Sequence, residues 1–159
     1  MATLNDLKKI YLLQDLTDPM LEKMLPKVAE SRLDTKQVVF EEGQAADNFY
    51  MLKSGKVLLK VDVSPTVTIS LGSVKPGYSF GWSSLLGEGA TFTSQAVCAE
   101  PSDLLVIPGP GFREILDADQ IMGYRVMDGV VRILEQRLRR RTDQFIKTLR
   151  RQMEIWDVW

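Results

Sequence analysis

The sequence predicts a mainly β fold, a roll, barrel or sandwich, flanked by helices and followed by one long C-terminal helix. Three observations predict it. Short β-rich runs recur at close, even spacing from Leu33 to Ile107, divided by Gly and Pro turn signals. Helix start signals fill residues 3–31. From Gln120 to Ile155 there is no proline and only two glycines, and apolar residues recur in steps of three and four.

At the N-terminus, Thr3 is placed to cap a helix running through Leu4, Leu7, Ile10 and Leu12. Thr17 opens a second, with Leu21, Met24 and Leu25 at helical spacing. The β-rich runs are Val38–Phe40, Phe49–Leu52, Val57–Val61, Val67–Leu71 and Leu104–Ile107. Between them lie Glu42-Gly43, Ser54-Gly55, Ser64-Pro65 and Lys75-Pro76-Gly77. About eight short strands are expected. No gap between the runs is long enough for a crossover helix, which excludes a parallel βαβ sheet. Pro108-Gly109-Pro110-Gly111 ends the β region, and Phe112 to Leu116 reads as a short helix. In the last segment, Tyr124, Met127, Val131, Leu134, Leu138, Arg141, Phe145, Thr148, Gln152 and Ile155 trace an imperfect heptad seam. A helix from Gln120 to Ile155 is roughly 50 Å long, more than a small roll can cover. The expected division is therefore a roll with its leading helices at 1–118 and a dimerisation helix at 119–159.

Composition narrows the function. The 159 residues are 45% hydrophobic, enough for one core, and carry 20 Lys and Arg against 21 Asp and Glu. Such a balance favours neither nucleic acid nor a membrane. There is no histidine, so imidazole general bases, Ser-His-Asp triads and histidine-ligated metals are excluded. A metal-binding β-barrel with similar strand spacing fails for the same reason. Cys98 is the single cysteine. In its strand-like apolar run it reads as a buried small hydrophobe, and a chain without paired cysteines suits a reducing cytoplasm. The N-terminus lacks the basic and apolar regions of a signal peptide.

Phe40-Glu41-Glu42-Gly43, followed by Phe49-Tyr50-Met51-Leu52-Lys53-Ser54-Gly55-Lys56-Val57, resembles the first half of the cyclic-nucleotide-binding domain. Pro76-Gly77-Tyr78-Ser79-Phe80-Gly81 is similar to the start of that family's phosphate-binding cassette, and Leu13-Gln14-Asp15-Leu16-Thr17 to its helical lead-in. The likeness runs from about Leu4 to Leu138. It implies the catabolite-activator-like sensor fold, a β-roll of the double-stranded β-helix or jelly-roll kind with a short cassette helix near Ser83 to Leu86, a regulatory rather than catalytic role, and a small ligand held by the cassette.

The chain departs from the family at the chemistry. The family's cassette reads Phe-Gly-Glu and then, after a short helix, Arg-Ser/Thr-Ala; the glutamate accepts the ribose hydroxyl and the arginine pairs with the cyclic phosphate. Here those two positions are Trp82 and Phe92, and no arginine occurs between Arg32 and Arg113. A guanidinium grips phosphate bidentately. Truncating one member of a buried charge pair costs about 2–5 kcal/mol. Affinity for cyclic AMP is therefore expected to fall by several orders of magnitude. The candidate ligand-binding residues are Phe80, Gly81, Trp82, Ser83 and Ser84 in the cassette, Phe92, Thr93 and Ser94 after it, and Arg141 and Thr142, which the family's long helix would bring over the ligand.

Three states of the pocket follow. It is collapsed on its own aromatics, or it is retuned for a less polar ligand, as in transcription factors of the family that bind non-nucleotide effectors. Or it still holds a cyclic nucleotide by backbone N–H groups and a cation from elsewhere. Gly81 belongs to the cassette; Gly77, Gly87 and Gly89 read as turns. Residues 132–151 hold eight basic and two acidic residues, read as a solvated helix face, with nucleic-acid or ligand contact as alternatives.

The expected protein is a cytoplasmic, bacterial, non-enzymatic ligand-sensing module with altered or degenerate specificity. No metal or firm cofactor is expected, only a cyclic nucleotide or another small ligand. The partners expected are a second copy through the C-terminal helix and another protein, without membrane association. About 20 residues follow Leu138, too few for the family's helix-turn-helix, so sequence-specific DNA binding is not expected. A genuine cyclic-nucleotide receptor, a ligand-free structural dimer and a salt-sensitive nucleic-acid binder stay open.

Overall fold

Thr3 caps the first helix by a reciprocal capping box. Its Oγ1 accepts the Asp6 N–H at 3.2 Å, and Asp6 Oδ2 accepts the Thr3 N–H at 2.9 Å. The computed structural model describes residues 1–156; of the segment expected at 119–159, residues 157–159 lie outside the described residues. Helix α1 spans Leu4–Lys8, shorter than expected. The Tyr11 N–H goes to the Gly77 carbonyl at 2.8 Å, which diverts the chain into a 3-10 turn at Tyr11–Leu13. Helix α2 spans Asp18–Met24 with a proline in its first turn, and a second 3-10 turn follows at Leu25–Lys27.

The sheet is antiparallel. Its strands are β1 (Ala29–Leu33), β2 (Val38–Phe40), β3 (Asn48–Ser64), β4 (Val67–Val74), β5 (Ser79–Phe80) and β6 (Gln95–Pro108). The order is β1-β6-β3-β4, with β2 also on β6 and β5 on β3. Six strands stand where about eight shorter ones were expected. The reason lies at Ser54-Gly55, which reads as a turn in the sequence but forms a bulge. The segments on either side both pair with β6, from Asn48 opposite Pro108 to Lys60 opposite Gln95, with register shifts near Ser54 and Lys56. Gly55 has φ 95°, and a Cβ there would lie 2.3 Å from Ser102 Oγ. Only glycine lets the two long strands bend together at that point.

Side chains alternate across this bent sheet. Phe49 and Met51 of β3, with Leu105 and Ile107 of β6, face the helices and join Leu7, Leu13, Leu21 and Met24 in one core. Tyr50 and Leu52, with Leu104, face the roll interior and meet Phe40, Val57, Phe80, Phe92 and Cys98 in a second. Cys98 is buried and free, as expected, and burial pushes its thiol pKa up.

Helix α3 spans Gly109–Ala118 and α4 spans Gln120–Trp156. The first half of α4 lies on the helical core through Met122, Val126 and Ile133, all buried. Its tethers are the Arg125 guanidinium, which donates to the Asp15 carbonyl at 3.0 Å, and Gly129, whose missing Cβ leaves room for Leu12. From Leu138 to Trp156 every residue is exposed. The expected seam is therefore not the face that α4 turns to its own roll. Tyr124, Val131, Leu134, Leu138, Phe145 and Ile155 are exposed, and only Met127 packs partly against the core. No helix among the described residues is long and apolar enough to cross a membrane.

Candidate functional site

The cassette begins where β5 ends. Gly81 takes φ 80°, and a Cβ there would come within 2.9 Å of Tyr50 Cδ2 and 3.1 Å of the Asn48 carbonyl. That left-handed residue turns the chain into a 3-10 turn at Trp82–Leu85, the short helix expected near Ser83 to Leu86. Ser84 points into the turn, its Oγ donating to the Gly81 carbonyl at 2.8 Å. It is therefore a local brace and not a lining residue. The Arg113 guanidinium donates to the Leu85 carbonyl and ties the turn to α3.

Trp82 and Phe92 go to different places. Phe92 is 3% exposed and stacks on Phe40 with ring centroids 3.7 Å apart and planes at 13°. Tyr50 stacks on Phe80 at 5.3 Å, and Phe40 lies 6.0 Å from Phe80. These four rings fill the roll interior. Trp82 turns the other way, edge-on to Phe49 at 5.1 Å, and packs against the helical core. Its indole Nε1 is buried and has no hydrogen-bond partner among the described residues.

What remains open is a cleft of about 240 Å³ between the cassette and α4, below the roughly 300–1,000 Å³ usual for a small-molecule pocket. Phe80, Gly81, Trp82, Ser83, Phe92, Thr93, Ser94 and Arg141 line it, so the fold gathers eight of the ten candidate residues at one place. Ser84 is not among them, and Thr142 sits exposed elsewhere on α4.

Sequence reasoning missed the residue with the most unusual environment. Arg137 enters the cleft from α4 with Leu134 and Leu138. Its guanidinium carbon sits 5.7 Å from the centroid of the Trp82 ring. One Nη donates to the Ser79 carbonyl at 3.0 Å. No carboxylate pairs with it among the described residues, and burial, with Arg141 and Arg140 nearby, pushes its pKa below the usual arginine value. The signal was present: steps of four and three from Met122, Val126, Val130 and Ile133 arrive at Arg137 and then Arg141.

The sequence model of the cyclic nucleotide-binding domain matches residues 30–119. The chain belongs to the cyclic nucleotide-binding domain family. A candidate cyclic nucleotide-binding protein from Geobacter metallireducens is 30% identical over 87% of this chain and 99% of its own, with a TM-score of 0.75. A cyclic nucleotide-binding domain from Methylobacillus flagellatus shares the fold at 19% identity and a TM-score of 0.77, over 91% of this chain and 81% of that one. The sensor domain of the transcriptional regulator DNR from Pseudomonas aeruginosa does so at 20% identity and 0.71, over 84% and 89%. No curated protein matches the chain. Within this family, Trp82 and Phe92 stand where the resemblance puts the ribose acceptor and the phosphate-binding arginine.

Proposed function

We propose that the chain is a non-enzymatic regulatory module whose cassette has lost the family's ordinary grip on a cyclic phosphate and whose output passes through α4. The observation that carries this reading is Phe92, stacked on Phe40 in the roll interior. An aromatic ring there offers no charge to a phosphate and takes up space that the family gives to its ligand. Residues 1–118 form the sensing part and 119–159 the transmitting part. The likeness to a regulator's sensor domain supports a role in signalling rather than catalysis.

The exposed half of α4 supports a second copy as the partner. Leu138, Phe145, Leu149, Ile155 and Trp156 all stand open to solvent on one long helix. Soluble monomers seldom leave so extended an apolar stripe uncovered, and a parallel pairing of two α4 helices covers it.

Calorimetric titration with cyclic AMP and cyclic GMP tests the pocket. No sub-micromolar binding of either is expected. A sub-micromolar dissociation constant for one of them would return the chain to the family's ordinary receptors.

A further inference from the structure

Arg137 marks the middle of a longer groove. On one side of it lies the cleft of about 240 Å³ against Trp82. On the other lies a second cleft of about 360 Å³, between β4 and α4, where Lys75, Tyr78 and Arg140 join the lining. Leu59, Arg137 and Arg141 line both, and among the described residues no Asp or Glu lines either. The contrast with the outer side of α4 is sharp. There Arg132 pairs with Asp128 and Arg139 with Glu135, whereas Arg137, Arg140 and Arg141 have no acidic partner among the described residues.

The Arg137 guanidinium, half-buried between the two clefts, is only partly satisfied. A guanidinium has five N–H groups and keeps its charge in a protein, and the hydrogen bond that Arg137 makes is to one backbone carbonyl. The Trp82 indole N–H, buried nearby, has no acceptor among the described residues. Folded proteins rarely leave such donors unpaired. What would satisfy the free N–H groups of Arg137 is negatively charged oxygen. Beside that guanidinium lie the Trp82 ring face, Leu134 and Leu138.

We propose that this groove binds an amphipathic organic oxyanion, a phosphate or carboxylate on Arg137 and Arg141 carried by a flat apolar body that rests against Trp82 and Leu134. The cation thus comes from the long helix, not from the cassette. Such a ligand clamps the cassette turn to the last anchored turn of α4, so its binding reports directly on the helix that transmits the signal. This rests on reading the cassette as altered.

The test titrates the full chain with 1-naphthyl phosphate, 1-naphthoate, 1-naphthol and inorganic phosphate, by calorimetry and by the indole N–H resonance of Trp82. Both naphthyl anions are expected to bind at least tenfold more tightly than naphthol or inorganic phosphate and to shift the Trp82 resonance. Tighter binding of the phosphate than of the carboxylate assigns the site to phosphate esters, and the reverse order to carboxylates. Arg137→Gln is expected to lose at least tenfold toward the anions and nothing toward naphthol. Arg132→Gln, outside the groove, is expected to change neither. Arg141→Gln removes an exposed cation, cannot cost the fold, and is expected to weaken the anions severalfold. Naphthol binding as tightly as the anions, or anion affinity unmoved by Arg137→Gln and Arg141→Gln alike, overturns the proposal. If the naphthyl anions fail to bind and cyclic AMP fails too, only this site is lost. If cyclic AMP binds at sub-micromolar concentration, the altered-cassette reading falls instead.

Discussion

Phe92 lies face to face with Phe40 inside the roll, the ring centroids 3.7 Å apart and the planes 13° from parallel. Phe92, where the resemblance places the family's arginine, is part of the hydrophobic core. Phe92 now sits among Tyr50, Phe80, Ala96 and Leu104. Its ring brings no charge to the cassette and supplies packing to the scaffold.

Phe92 should therefore behave as a core residue. Phe92→Ala leaves a cavity beside Phe40 and is expected to cost about 3–5 kcal/mol of folding stability. Denaturant unfolding followed by circular dichroism measures it. A loss under ~1 kcal/mol would mean that the ring is not packed as described and that the cassette interior is open.

The assembly is tested beyond the cleft, because Leu134 and Leu138 line the cleft as well as the exposed face. Sedimentation at micromolar concentration is expected to give twice the chain mass of 18.0 kDa. Phe145→Asp with Leu149→Asp is expected to return it to the monomer without unfolding the roll, since both residues lie on the exposed part of α4. A wild-type monomer would leave the apolar stripe for a different protein.

The N-terminal helix gives a pH dependence. Burial alone would raise the Asp6 pKa, but its bonds to Thr3 and the nearby Lys53 outweigh burial and hold it below the ordinary carboxylate value. A group depressed in the folded state stabilises the fold above its unfolded pKa, near 3.9 for Asp, and that contribution is lost as pH falls through the lower folded pKa. Asp6→Asn is expected to lower the melting temperature at neutral pH, and the difference from wild type should shrink below about pH 4. A difference independent of pH would assign Asp6 a purely steric role.

Much of this architecture was legible in the sequence, and the failures have local causes. Thr3 announces the first helix because a helix cap needs only neighbours. Phe49, Tyr50, Met51 and Leu52 read as a buried strand because both faces of β3 meet a core. Ser54-Gly55 misled because a bulge and a turn both call for a glycine at positive φ; what separates them is pairing with a strand distant in sequence, as Ser54 pairs with Asp103, 49 residues on. Ser84 and Thr142 fell within the candidate set by position, but hydroxyl direction depends on the turn and on the helix face. Arg137 was hidden because a charged residue interrupts an apolar stripe, and the seam was drawn through the outward Leu134 and Leu138.

Titration of the double variant Phe92→Arg with Trp82→Glu against cyclic AMP tests the central claim most directly. The account predicts that wild type shows no sub-micromolar binding. The variant restores both anchoring groups on an intact Gly81 turn. It should bind at least about thirtyfold more tightly, the low end of the 2–5 kcal/mol attached to a buried charge pair. Sub-micromolar binding by wild type, or a folded variant with no gain, would contradict it.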